Sequence, residues 1–102
     1  MQYDQYYLSY SGAALPLNLV SPLGAEDIEN RNTYFGVNLD DHGRIELIHK
    51  RVYGDVELAH RYGYGDDNQL LWAEIFSVDE EGRRLSFDTA GRLVGDEEIP
   101  AP

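Results

Sequence analysis

The chain has 102 residues and carries 8 lysines and arginines against 19 aspartates and glutamates, so its formal net charge is −11 at pH 7. A chain of this length forms one small domain, and the lack of cysteine excludes disulfides and thiolate metal sites. The negative charge disfavours nucleic acid and anionic membranes as partners, and no apolar run reaches the roughly 20 residues of a membrane helix. Because the first residues lack the basic and apolar regions of a secretory signal, we expect a cytoplasmic protein.

The composition changes along the chain and indicates its organisation. We expect a single β domain over residues 1–94, which divides into an N-terminal zone (1–32) and a strongly patterned zone (33–88). The remaining residues, 95–102, are acidic and proline-ended, with Ile99 as their one large apolar residue. Because such a segment can bury little apolar surface, we expect a frayed tail there.

The N-terminal zone contains two alternating segments, residues 3–8 and 14–20, separated by a Ser-Gly turn signal. Alternation is typical of strands, so we predict that the two segments pair as a hairpin. Pro16 lacks a backbone N–H and therefore suits an edge strand. Residues 21–31 are acidic early and end in Asn-Arg, which favours one short helix of one or two turns.

Turn signals recur about every dozen residues in the patterned zone, a spacing typical of an all-β meander. The signals are Asp41-His42-Gly43, Gly54-Asp55, Asp67-Asn68 and Glu80-Glu81-Gly82. They predict a mainly β protein, built on a single antiparallel meander sheet of about five or more strands. The N-terminal hairpin and the short helix either lie over this sheet or extend it.

The predicted turns also determine which residues oppose one another, because side chains alternate between the two faces of a sheet. The opposed pairs include Val37 with Leu47, His49 with His60, Arg61 with Glu74, Trp72 with Gly63, and Ile75 with Phe87. One face collects the predicted core: Phe35, Val37, Leu39, Ile45, Leu47, Leu58, Tyr62, Tyr64, Leu71, Ala73, Ile75, Leu85 and Phe87. The opposite face carries an apolar stripe flanked by charges: Ile48, Val52, Ala59, Trp72 and Phe76.

An Asp-x-x-Gly-Arg element occurs three times, at residues 40–44, 79–83 and 88–92. It resembles the turn sequences that separate the hairpins of the YD-type and MORN-like repeat proteins of bacteria, although the usual Tyr-Asp dipeptide before Gly-Arg is absent. Some small members of that broad group are antitoxins or immunity proteins. The resemblance therefore implies a β-meander and, for such members, a protein partner.

A second resemblance covers most of the chain and rests on four short segments. These are residues 7–12, 15–17, 30–35 and 52–57, which together look like a small bacterial family of unknown function. This resemblance implies no particular activity and no catalytic residues.

The predicted pairing of His49 with His60 is the sharpest candidate for chemistry. Two directly opposed imidazoles, with Cβ atoms about 4.5–5.5 Å apart, could share a metal ion or act as an acid and a base. A closed zinc site needs four ligands, however, and no carboxylate lies among the predicted neighbours. We therefore favour a structural pair and predict no metal, no cofactor and no enzyme activity. A small enzyme or metal-binding protein that uses both histidines is the alternative.

The acidic turns and the apolar stripe together suggest a binding surface. Alternate turns of a meander lie at the same end of the sheet, so four aspartates should form an acidic rim: Asp40, Asp41, Asp66 and Asp67. A large aromatic among charged residues is typical of an interface centre with a polar rim. The protein-binding candidates in this stripe are Trp72, Phe76, Ile48, Arg61 and Glu74.

These features predict a non-catalytic, acidic protein-binding module. The interpretation we favour is an immunity or antitoxin-type protein that neutralises a cognate bacterial effector, with a basic toxin as the partner that the charge suits best. An oligomerising structural domain, whose open sheet edges self-associate, is a further alternative. Whether the N-terminal zone covers the stripe is left open at this point.

Overall fold

The alternating segments pair into one open antiparallel sheet, which the computed structural model describes over residues 2–100. Within these residues the sheet has eight strands: β1 (Gln5–Ser11), β2 (Asn18–Leu23), β3 (Thr33–Leu39), β4 (Ile45–Val52), β5 (Asp55–Tyr64), β6 (Leu70–Ser77), β7 (Gly82–Phe87) and β8 (Leu93–Ile99). Their order in the sheet is β2-β1-β3-β4-β5-β6-β7-β8. The prediction of a mainly β meander with an N-terminal hairpin is confirmed.

One short 3₁₀ helix, Ala25–Asn30, connects β2 to β3 and corresponds to the predicted short helix. Its first turn is acidic, and the Asp27 carboxylate accepts a hydrogen bond from the Gly24 backbone N–H at 2.8 Å. This bond satisfies a backbone donor at the start of the helix. Across residues 2–100, no helix has the length and apolar character that crossing a membrane requires.

The connection between β4 and β5 differs from the prediction by one residue. Tyr53 and Gly54 have φ values of 50° and 86°, and Val52 pairs with Asp55 on either side of them. Two central residues with positive φ are typical of a type I′ turn, whose twist matches that of the strands it joins. The turn is therefore Tyr53-Gly54 and not the predicted Gly54-Asp55.

A register irregularity next to the β3–β4 turn corrects the predicted faces of β4. Leu39 opposes Ile45 as predicted, but the register shifts between Asn38 and Leu39, so that Val37 opposes Ile48 and not Leu47. A slip of one residue moves every side chain of a strand to the other face. Ile48, predicted to lie on the outer face, is therefore fully buried in the core, with 0% of its surface exposed.

The later hairpins keep the predicted faces. Between β5 and β6 the predicted pairs Arg61 with Glu74 and Gly63 with Trp72 are confirmed. Between β6 and β7 the predicted pair is wrong, because Ile75 opposes Arg83 and not Phe87. That slip is an even number of residues, so no side chain changes face.

The core lies on one face of the sheet and is closed by the connection between β1 and β2. Six buried apolar residues form one cluster on this face: Leu17, Phe35, Val37, Ile48, Tyr62 and Ala73. Leu15 packs against this cluster from the same connection, and the Leu17 backbone N–H donates to the Tyr62 hydroxyl at 3.3 Å. The sequence left open whether the N-terminal zone extends the sheet or lies over it, and the structure shows both. β1 and β2 extend the sheet, while their connection covers its core face.

The acidic segment near the C-terminus corrects another expectation. Residues 95–99, predicted to fray, form most of β8, which pairs with β7 from Phe87–Leu93 to Gly82–Ile99. Arg83 of β7 forms an ion pair with Asp96. Cross-strand pairs between opposite charges can order a strand that buries little apolar surface. Residues 101 and 102 of the predicted tail lie outside the described residues.

Candidate functional site

Trp72 of β6 lies on the sheet face opposite the core, between a glycine and an arginine. Its indole lies across Gly63, where a Cβ atom would come within 2.0 Å of the indole Nε1. The guanidinium of Arg84 stacks on the ring, with its carbon 4.8 Å from the centroid. Glycine provides the flat surface that the ring needs, and the cation–π contact holds the ring in place. The indole is consequently fixed in position while remaining partly exposed.

A shared carboxylate links Trp72 to its charged neighbours. Nη1 of Arg84 donates to Oε2 of Glu74 at 2.5 Å, and Nη1 of Arg61 lies 3.8 Å from Oε1 of the same carboxylate. Glu74 is largely covered, whereas the Arg61 side chain is 58% exposed. Two guanidinium groups therefore share one carboxylate, and Arg61 keeps hydrogen-bond donors free for a further acceptor.

An open depression of about 330 Å³ lies beside this indole. Its lining includes Glu46, Leu47, Arg61 and Trp72. Leu47 was predicted to lie in the core, and the register irregularity places it on this face instead. We call the outer face the surface formed by Leu47, Ala59, Arg61, Trp72, Glu74, Phe76 and Arg84.

The structure brings four of the predicted binding residues together on the outer face: Arg61, Trp72, Glu74 and Phe76. The ring of Phe76 packs over Gly82, where a Cβ atom would come within 2.6 Å of it. Ile48, the fifth candidate in the stripe, lies in the core and contributes nothing to this surface. The sequence did not predict Leu47 on this face, because the register irregularity that places it there cannot be recognised from the alternation of apolar and polar residues.

The two acidic turns lie at the same end of the sheet, as expected, and Arg44 connects them. Its Nε donates to Oδ2 of Asp40 at 2.8 Å, and its Nη1 donates to Oδ1 of Asn68 in the next turn but one at 3.0 Å. Asp40 also accepts the backbone N–H groups of His42 and Arg44, which is ordinary turn chemistry. The hydrogen bonds of the Asp40 carboxylate thus all lie within its own turn.

The other three aspartates of the predicted rim, Asp41, Asp66 and Asp67, are exposed. They lie on the two turns that Arg44 joins. Within residues 2–100, no three carboxylate or imidazole groups are arranged so that they could hold a metal ion.

The predicted histidine pair does not form. His49 opposes Ala59 and His60 opposes Ile48, so the two imidazoles lie on different faces of the sheet. The physical reason is the register shift between Lys50 and Arg51, which moves the rest of β4 by one residue against β5. The Tyr53-Gly54 turn alone changes the predicted pairing by two residues and would leave both imidazoles on one face. The hypothesis of a metal or acid–base site that uses both histidines is therefore wrong.

His60 is buried and belongs to a hydrogen-bonded chain that ties the β1–β2 connection to the core. Its Nδ1 lies 2.6 Å from the Tyr62 hydroxyl, which also accepts the Leu17 backbone N–H. With a neutral imidazole, the Tyr62 hydroxyl can donate to Nδ1 while accepting from Leu17. Burial lowers the pKa of His60 from 6.5 to about 4, so the imidazole is neutral at physiological pH.

This burial predicts a specific loss of stability in acid. Between pH 6.5 and about 4 the unfolded chain binds a proton at His60 that the folded chain does not. The free energy of unfolding should therefore fall over this interval by about 3 kcal/mol from this group. Urea titrations at several pH values should show this fall in the wild type and a smaller fall in His60→Gln. His42→Gln, in an exposed turn, is the control and should keep the steep dependence, and an unchanged slope in His60→Gln would contradict the prediction.

His49 takes part in a second cluster, which the sequence did not reveal. The Tyr3 ring lies over Gly36, where a Cβ atom would come within 2.4 Å, and the Tyr3 hydroxyl is 2.8 Å from Nδ1 of His49. Tyr6 and Tyr34 continue the cluster with edge-to-face contacts. Burial and the nearby Arg51 lower the pKa of His49, so its imidazole accepts the Tyr3 hydrogen bond. A glycine inside a strand was the available signal for this close packing.

Comparison with other proteins gives a family but no activity. No curated protein and no solved structure matches the chain. A family model described as "Family of unknown function (DUF6156)" matches residues 1–96. The predicted resemblance to a family of unknown function is confirmed, and the chain belongs to this family.

Proposed function

We propose that this protein is a non-catalytic, protein-binding module of the immunity or antitoxin type, which binds and neutralises a basic bacterial effector in the cytoplasm. The observation that carries the proposal is the fixed indole of Trp72 beside an open depression, with Arg61 and Arg84 around it. Tryptophan and arginine are the residues that most often dominate the energy of protein interfaces. Because Gly63 and Arg84 already hold the ring, little side-chain entropy is lost when a partner covers it.

The charge distribution suits a binding process in which different residues govern association and dissociation. The net charge of −11 and the exposed carboxylates of the turns attract a basic protein over long distances. At the outer face itself two guanidinium groups share the Glu74 carboxylate, so Arg61 can donate to a carbonyl or carboxylate of the partner. The acidic turns would thus raise the association rate, while Trp72 and Arg61 would determine the dissociation rate.

The proposal predicts a large loss of affinity when Trp72 is truncated. The tagged protein should retain a basic partner from a lysate of its source, and Trp72→Ala should weaken the purified complex by about 2 kcal/mol or more in calorimetry. Tyr53→Ala is the matched control, because this aromatic ring is 76% exposed in a turn away from the outer face. Its complex should keep the wild-type affinity.

Neutralisation needs its own measurement. Co-expression of the wild type should restore growth of cells that produce the captured effector, and Trp72→Ala should restore it less well. Reversing Asp66 and Asp67 to lysine should mainly slow association. Equal affinity of Trp72→Ala and wild type would contradict the site. A concentration-dependent mass in sedimentation with no captured partner would favour the oligomerising alternative.

A further inference from the structure

The sheet has two edge strands, and they differ in their ability to accept another strand. In β2, Pro22 lacks a backbone N–H and Ser21 has a φ of 61°, so this edge interrupts a regular ladder. Proline and local distortion are the usual means by which proteins block an edge. In β8, residues Leu93–Ile99 contain no proline and no positive φ, and beyond one register shift at Val94 the pairing with β7 is regular from Gly95 to Ile99. Within residues 2–100, β8 pairs with β7 alone.

The free edge of β8 is held in an extended conformation by its inner neighbour. Six residue pairs join β8 to β7, and the ion pair between Arg83 and Asp96 reinforces them. Alternate N–H and C=O groups of β8 therefore point outward from an ordered strand. Such an edge is a ready template for β-strand addition, in which main-chain hydrogen bonds provide much of the affinity.

The first half of β8 is apolar and borders a cavity. Leu93 and Val94 are adjacent on this edge and are 54% and 65% exposed. A cavity of about 400 Å³ lies next to Leu93, between the β1–β2 connection and the start of β8. Its apolar lining is formed by Ala13, Leu15, Leu70, Leu85, Phe87 and Leu93.

The second half of β8 is acidic. Glu97 and Glu98 are exposed there, and the pairing of Ile99 with Gly82 brings this end of β8 beside the exposed Glu80 and Glu81 of the β6–β7 turn. In a second copy paired antiparallel along β8, these carboxylates would face the apolar Leu93 and Val94, which offer no opposite charge. A strand that carries lysine or arginine opposite them would be attracted instead.

We propose that β8 accepts an extended segment of a partner protein as a ninth strand. An apolar side chain of that segment enters the cavity beside Leu93, and its lysines or arginines lie opposite Glu97 and Glu98. This inference does not depend on the outer face, because the contacts of Trp72 involve β5 and β7 and not β8.

The experiment uses a fluorescent peptide of about nine residues that begins with leucine and valine and carries adjacent lysines in its second half, because Glu97 and Glu98 project from opposite faces of β8. We expect saturable binding, with hydrogen exchange slowed at residues 93–99. Two further peptides carry N-methyl groups on alternate sets of residues. Only one set of N–H groups faces β8 in an added strand, so one methylated peptide should bind about tenfold more weakly than the other.

Variants of the protein test the charges and separate the two surfaces. Glu97→Gln combined with Glu98→Gln removes the two charges without placing a cation opposite Arg83 and Arg84 of β7, and it should weaken the lysine peptide about tenfold. Trp72→Ala should bind this peptide as the wild type does, whatever its effect on the effector complex. Circular dichroism checks that each variant is folded, and the methylated peptides test the inference without altering the protein.

Several outcomes would overturn the proposal. They are failure of the parent peptide to bind, equal binding of both methylated peptides, and protection confined to β2 or to the outer face. Protection of β8 that grows with protein concentration in the absence of peptide would assign the edge to a second copy of the chain.

Discussion

Replacing Ile48 with alanine should lower the free energy of unfolding by about 2–5 kcal/mol, because the side chain is fully buried at the centre of the core. Ile48 opposes Val37, which is also fully buried. Because the surrounding core is closely packed, little can move to fill the cavity that the substitution leaves. Denaturant unfolding followed by circular dichroism measures the change. It should appear as a lower midpoint with an unchanged slope.

Leu47→Ala is the matched control for this prediction. The regular alternation of the sequence would place Leu47 in the core and Ile48 outside, whereas the register irregularity reverses the two positions. Leu47 is only partly buried beside Trp72, so we expect its truncation to cost about 1 kcal/mol. A larger loss for Leu47→Ala than for Ile48→Ala would show that β3 and β4 pair without the irregularity.

Replacing Gly63 with alanine should displace Trp72 from the outer face. The added Cβ would lie 2.0 Å from Nε1 of the indole, far inside contact distance, so the ring must leave its position over β5. Overpacking of this kind costs about 1–3 kcal/mol of stability. Because the chain contains one tryptophan, its fluorescence reports the movement directly, and we expect a shifted emission maximum in the folded protein.

Gly65→Ala is the control for the glycine substitution. A Cβ at Gly65 would lie 3.4 Å from its nearest neighbour, which is ordinary contact, so stability and emission should change little. In a Trp72→Ala background the cost of Gly63→Ala should largely disappear, since the clashing ring is absent. An additive double variant would contradict the contact between Gly63 and Trp72.

The Gly63 substitution also connects stability to the proposed function. If partner binding requires the fixed indole, Gly63→Ala should weaken the effector complex even though the indole is retained. Gly65→Ala should leave the complex unchanged. Trp72→Ala removes the ring altogether and therefore does not test its position. Gly63→Ala and Gly65→Ala both keep the ring, so comparing them tests whether binding depends on where the ring lies.

The sequence by itself determined the type of fold and the faces of several strands. Regularly spaced turn residues and alternation are local properties, so they predicted the meander, the hairpin and the short helix. Between β5 and β6 they also predicted that Arg61 opposes Glu74 and that Trp72 lies across Gly63. Most of the outer face could therefore be assembled from the sequence.

The tertiary structure decided where the regular pairing is interrupted. The irregularity between Asn38 and Leu39 placed Ile48 inside, and the one between Lys50 and Arg51 placed His49 and His60 on opposite faces. The register of β4 depends on which pairing packs the whole core best. β4 has a large apolar side chain on each face, Leu47 on one and Ile48 on the other, so either register buries one of them. A slip of one residue exchanges its two faces, so one irregular pair outweighs the alternation of the entire strand.

The order of β8 and the closure of the core also required the tertiary structure. The acidic residues 95–99 have little local tendency to form a strand, and they become ordered because β7 offers a paired edge with Arg83 opposite. The Leu17 contact with Tyr62 joins residues 45 positions apart in the chain. Local sequence determined most of the strands and turns of this protein, while contacts between distant segments selected the register and the ordered edge, because only they bury the core.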